Sequence, residues 1–262
     1  MRIDVSKLLP PSLIVAGPYA PVRQWQTGAA VIDAALGGGF AFGRVHEVFA
    51  ACAEDAPACA GFILALAIRN AEHAKPVIWL RSERAVRGGV MQGAGWAELG
   101  GAPEACLFVL AEDAKALLRA GVDALRCGGM GAVVIEGWGR MPELDLTASR
   151  RLSLAAEKSG VPLLLLRVDA EPAPSAAETR WHVTAAPSQA LLGNAPGAPC
   201  FDIELLRCRS RPAGQSWRLE WDRDRKCFRD TAVSGVMVPV PFCRQTAATG
   251  TGTVRPDTQY AA

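Results

Sequence analysis

The chain has 262 residues, half of them hydrophobic, and 28 Lys and Arg against 26 Asp and Glu give it a formal net charge of +2. That length buries a sizeable core as one domain with extensions or as two small domains, and a charge this close to balance does not announce a nucleic-acid binder. The longest apolar runs fall short of a bilayer span, and prolines break the opening "MRIDVSKLLPPSLIVAGPY" before a signal-peptide core forms, so a cytoplasmic location is expected.

Residues 28–36 read as a helix that Gly37, Gly38 and Gly39 turn into a first buried strand at 44–50. Residues 58–72 read as the next helix, in which "FILALAI" (62–68) is expected to pack on a sheet. "PVIWLR", "CLFVL", "AVVIEGW" and "VPLLLLRV" are continuous apolar runs of strand length, suited to a sheet covered on both faces. Helical segments "DAKALLRAGVDALRCG" and "TASRRLSLAAEKSG" separate them. In the second, Thr147 is placed to cap the first turn, and Gly160 with Pro162 to stop the helix. This βαβ alternation predicts an α/β fold with a mostly parallel central sheet flanked by helices.

Beyond residue 169 the pattern changes. "DAEPAPSAAET" connects to "RWHVTA", and then "CFDIELLRCR" and "SWRLEWD" flank the turn-forming "RPAGQ", which predicts an antiparallel C-terminal hairpin on the edge of the parallel sheet. The expected organisation is an N-terminal extension at 1–26, a core at 27–230 and a disordered tail at 231–262. Eight cysteines include no C-x-x-C pair, and several lie in apolar stretches as reduced thiols do. His46, His73 and His182 stand far apart without metal-ligand spacing, so each reads as a core or surface residue.

The turn between the strand at 44–50 and the helix at 58–72 is where a nucleotide-binding α/β protein carries G-x-x-x-x-G-K-[ST]. A phosphate nest needs glycines at positive φ, a lysine for the terminal phosphates and a hydroxyl for magnesium. "AACAEDAPACAGF" has no glycine between Gly43 and Gly61, no lysine before Lys75, and no serine or threonine. Glu54 and Asp55 place negative charge where the ligand would bring more, a repulsion of several kcal/mol at close range. The expectation is a chain with no nucleotide cofactor, no metal and no catalytic residues.

"TGAAVIDAALGGGFAFGRVHEVF" (27–49) resembles the start of the RecA-type recombinase core. With "RRLSLAAEKSGVPLLLLR" and the degenerate loop, the chain resembles more narrowly the ImuA family, the RecA-like accessory proteins of bacterial mutagenic translesion synthesis; the likeness covers residues 27–229. It places Glu136 where the recombinases carry a metal-binding aspartate and Glu83 where they carry a catalytic glutamate. The plain alternative is that each is a polar residue at the end of a parallel strand, facing the crevice.

The resemblance implies a non-catalytic adaptor of the DNA-damage (SOS) response. Its implied partners are an ImuB-like Y-family polymerase subunit and, further, RecA or the error-prone replicative polymerase, with direct DNA contact left open. Rival readings are a SulA-like inhibitor that binds the division GTPase, and a divergent ATPase. The basic surplus lies in "LLRCRSRPAGQSWRLEWDRDRKCFRD", where Arg207, Arg209, Arg211, Trp217 and Trp221 are the candidate partner-binding residues, having the composition of interface hot spots. A merely solvated hairpin, or base stacking on the tryptophans, are the alternatives.

Overall fold

Asp33 organises the first turn of the chain. The computed structural model describes residues 23–70, 75–83, 85, 89 and 91–231, beginning with β1 (Gln24–Trp25), α1 (Ala30–Leu36) and β2 (Phe40–Ala41). Ala29, at the N-cap of α1, has no capping side chain, and the Asp33 carboxylate instead ties down the turn leading into the helix by accepting from the Thr27 N–H (2.8 Å), the Thr27 hydroxyl (2.9 Å) and the Gly28 N–H (3.3 Å). The helix ends on Gly37 in the left-handed region (φ 75°), and a Cβ at Gly39 would overlap the Trp25 carbonyl oxygen. The glycine triplet therefore makes a tight turn. Trp25, expected in the extension, is buried, its ring 5.5 Å from Phe40 and 4.9 Å from Phe42. The tail expected to be disordered, from residue 232 on, and His73 lie outside the described residues.

The remaining elements are β3 (Val45–Ala50), α2 (Ala56–Asn70), β4 (Val77–Ser82), α3 (Gly93–Glu98), β5 (Cys106–Ala111), α4 (Ala114–Cys127), β6 (Ala132–Trp138), α5 (Leu146–Ser159), β7 (Leu163–Val168), β8 (Thr179–Ala186), β9 (Cys200–Cys208), β10 (Ser216–Asp222) and β11 (Cys227–Asp230). Nine strands form one sheet in the order β11-β10-β9-β8-β3-β7-β6-β4-β5. From β8 through β5 every neighbour is parallel, and from β8 through β11 every neighbour is antiparallel. The α/β class with a mostly parallel sheet and antiparallel C-terminal strands is as expected. α3 was not legible in the sequence. α5 is capped two residues earlier than expected: the Asp145 carboxylate, and not Thr147, accepts from the Ala148 N–H at 2.7 Å, while Gly160 ends the helix in the left-handed region.

Helix α2 is apolar all round because it is enclosed. Phe62 through Ile68 are all buried, packed on the sheet from one side. From the other side come α1 and the twisted antiparallel strands, with the Phe62 ring 5.2 Å from Phe228 of β11 and 5.9 Å from Phe201 of β9. The Phe228 N–H closes the wrap by donating to the Thr27 carbonyl at 2.9 Å. Helices α4 and α5 cover the opposite face of the sheet over a second aliphatic cluster.

Two sheet expectations are corrected. The C-terminal hairpin, β9 and β10, is not an edge: β8 pairs with β9 and β11 pairs with β10, so neither hairpin strand has a free outer side among the described residues. The sheet ends instead on β11, which is short and carries Arg229 and Asp230, and on β5. β5 is also not covered on both faces. Leu107, Phe108 and Leu110 are 53%, 43% and 60% exposed, because β5 is the last strand of the sheet, α2 packs on β3, β7 and β8, and α4 covers β5 only in part.

Seven cysteines are free thiols among the described residues. His46 is a core residue, as expected, its two ring nitrogens bonded to the Thr179 hydroxyl (2.7 Å) and the Ala41 carbonyl (2.9 Å). Burial lowers its pKa from 6.5 to about 4, and burial also lowers that of His182. Both are therefore neutral in the fold at pH 7, while the unfolded chain takes up their protons as pH falls below 6.5. Stability should rise with pH between about 4 and 6.5 and gain nothing further from His46 above that, the His46 share being about 3 kcal/mol over the range. Urea unfolding at several pH values checks this. His46→Gln should remove most of the slope, and an unchanged slope would show that the histidine does not carry it.

Candidate functional site

The turn from β3 to α2 has the position of a phosphate loop without its geometry. Residues 51–55 include no residue at positive φ, so successive N–H groups do not converge on one point as a nest requires. The Cys52 thiol donates to the Asp55 carboxylate at 3.3 Å, and burial together with Asp55 and Glu54 pushes its pKa up to about 12, which makes it a poor nucleophile. Glu54 is fully exposed, and its carboxyl is held below the usual range by its own backbone N–H and by Cys52.

Across the crevice, Glu136 near the end of β6 is buried and already satisfied. It accepts from the Trp138 indole (2.6 Å) and the Arg81 guanidinium (3.1 Å) on one oxygen and from the Trp79 indole (2.8 Å) on the other. Arg81 and Glu136 are register partners on the adjacent parallel strands β4 and β6, which places their side chains on the same face of the sheet. At the position to which the resemblance gives a metal-binding carboxylate, a guanidinium supplies the positive charge. Glu83, just beyond β4, is exposed. Among the described residues no cluster of three His, Cys, Asp or Glu side chains could hold a metal ion. A nucleoside triphosphate with magnesium thus does not fit the residues present. The crevice beside them, about 620 Å³, is mainly apolar, walled by the start of α2, Trp96, Trp138 and Phe201.

No protein-family model matches the sequence. The ImuA proteins of two strains of Caulobacter vibrioides, NA1000 and CB 15, are each 34% identical over 227 residues, covering 78% of this chain and 86% of theirs. The chain belongs to the ImuA family. The crystal structure of the RadB recombinase superposes with a TM-score of 0.54 at 17% identity, covering 79% of this chain and all of that one, which establishes a RecA-like fold.

The candidate partner-binding residues of this ImuA-family chain separate in the structure. Trp221 is corrected: it is fully buried in the cover over α2, with its indole donating to the Leu99 carbonyl at 2.9 Å, because alternate residues of β10 face that helix. Trp217 is half-buried, its ring 6.2 Å from that of Trp181. Arg207 is half-buried and donates to the Ser175 carbonyl at 3.3 Å. Arg209 and Arg211 are exposed at the hairpin tip, and the Arg211 guanidinium lies over Gly37, where the carbonyl end of α1 favours a cation.

Sequence reasoning missed Arg81, Trp79 and Trp138, which together hold Glu136. An arginine closing the apolar run "VIWLR" and a tryptophan two residues past "IE" are visible signals, but the β4–β6 register that unites them is not. Removing one partner should leave a buried charge uncompensated. Arg81→Met should cost about 3–5 kcal/mol in urea unfolding, and adding Glu136→Gln should restore more than half of it. A single variant as stable as wild type would show that Arg81 does not neutralise Glu136.

Proposed function

We propose that this ImuA-family chain is a non-catalytic RecA-like adaptor of the DNA-damage (SOS) response that assists a translesion polymerase complex. The observation that carries the reading is that the fold's ligand positions are spent on the fold itself: the loop offers no nest, and Glu136 is committed to Arg81, Trp79 and Trp138. Family membership supports the cellular role, while the fold alone would be equally compatible with an ATPase. The protein-binding partners of this reading are an ImuB-like Y-family polymerase subunit and, beyond it, RecA or the error-prone replicative polymerase. Calorimetry with ATP and magnesium should register no binding heat at high protein concentration; a micromolar dissociation constant would return the divergent ATPase to first place.

Within this reading the hairpin tip remains the proposed contact surface, now reduced to Arg209 and Arg211, with Arg207 and Trp217 as its half-buried support. Exposed arginines are effective interface anchors because a planar guanidinium meets a carboxylate with two bonds at once. The double variant Arg209→Ala, Arg211→Ala should melt within a few degrees of wild type, since both side chains are exposed and Arg211 gives up only its contact with the carbonyl end of α1. It should bind the polymerase-like subunit about tenfold or more weakly at physiological salt. Undiminished affinity would remove the tip from the interface.

A further inference from the structure

Helices α4 and α5, on the face of the sheet opposite α2, leave a groove of about 420 Å³ between them. Lys115, Leu118, Arg119, Val122 and Arg126 lie along one side of α4, each three or four residues from another of the set. Leu118 and Val122, with Ala148 and Leu152 of α5, give the groove an aliphatic floor. Its rim is cationic. Lys115, Arg119 and Arg151 are exposed and have no acidic partner among the described residues. Arg126 faces Asp123 at 3.7 Å with both side chains largely in solvent, and Glu143 is the other acid at the rim.

We propose that this groove docks an acidic amphipathic helix of a protein partner. From Lys115 to Arg126 the groove runs about 16 Å, three helical turns, which is the length over which a helix presents apolar residues at i, i+3 or i+4, and i+7. Burying such a stripe gains the hydrophobic term, and carboxylates on its two flanks would meet the unpaired rim cations and suit Arg119 and Arg151 best. Single-stranded nucleic acid suits the groove poorly. No aromatic ring lies on the floor for a base to stack on, and Asp123 and Glu143 interrupt the row of cations. The inference rests on the groove alone and is independent of the polymerase reading.

The probe is a fluorescent synthetic helix of about 18 residues with leucines at that spacing and glutamates on both flanks, titrated into the full chain and followed by anisotropy. A twin carries lysine for every glutamate. The acidic helix should saturate the chain and bind at least about tenfold tighter than its twin, and Arg119→Glu with Arg151→Glu should reverse that preference. Val122→Ser, which leaves the charges in place, should weaken the acidic helix severalfold. Both arginines are exposed, so equal melting of the reversed variant is expected and serves as the folding control. Absence of saturable binding, equal affinity for the twins, or a preference unmoved by the reversal overturns the proposal. So does displacement of the acidic helix by a single-stranded oligonucleotide, or self-association of the chain that the reversal abolishes, each of which would assign the groove to another occupant.

Discussion

Glu136 can be buried as an anion only because Arg81 lies beside it. A lone carboxylate under the crevice would carry a desolvation penalty of several kcal/mol, and the 3.1 Å contact with the guanidinium, completed by two indole N–H groups, offsets it. The arrangement holds β4 against β6 and fixes two tryptophans on the α2 side. Arg81 also donates to the Ala85 carbonyl, so the same side chain tethers the chain leaving β4. A residue set that neutralises itself in this way balances its charge within the chain.

The same device recurs across the sheet. Glu47 of β3 and Arg180 of β8 are register partners joined at 2.8 Å and nearly buried, and Arg218 of β10 holds Asp202 of β9 through two 2.7 Å bonds. The second pair is partly open to solvent and therefore screened, so its value lies more in register than in energy. Since a slip of one residue would turn every side chain to the other face, three in-register pairs on three strand junctions oppose such slips from the parallel half through to the antiparallel half.

Much of this was legible in the sequence. Apolar runs of strand length alternating with capped helices specified a parallel sheet, and the missing glycines and lysine after Val48 specified a loop without a nest. The hairpin segments "CFDIELLRCR" and "SWRLEWD" were read correctly as strands, but their neighbours were not, because strand order is a long-range property. For that reason Trp221 has the sequence signature of a surface anchor and is a core residue: alternation tells which residues share a face, and not whether that face is wet. β5 failed for the converse reason. "CLFVL" has the composition of an interior strand, and only the strand order places it at the rim with Leu107 and Leu110 in solvent. The α4–α5 groove also needed the packed helices, since spacing along α4 alone does not say what stands opposite.

The position of β3 sets conditions on how the chain is made. It is the first strand of the main sheet to leave the ribosome, yet it lies between β7 and β8, both from far along the chain. Roughly a hundred residues must be added before either neighbour exists, on the order of ten seconds at about 5–20 residues per second. Throughout that interval Val45, Val48 and Phe49 have no sheet to join, and α2, apolar on every side, waits with them for the strands that will enclose it. Helices and β4–β6 can assemble locally in the meantime, but the centre of the molecule closes late. A nascent chain stalled before residue 163 therefore presents the apolar β3 and α2 with their partners still unsynthesised, a state in which a holding chaperone has a defined target.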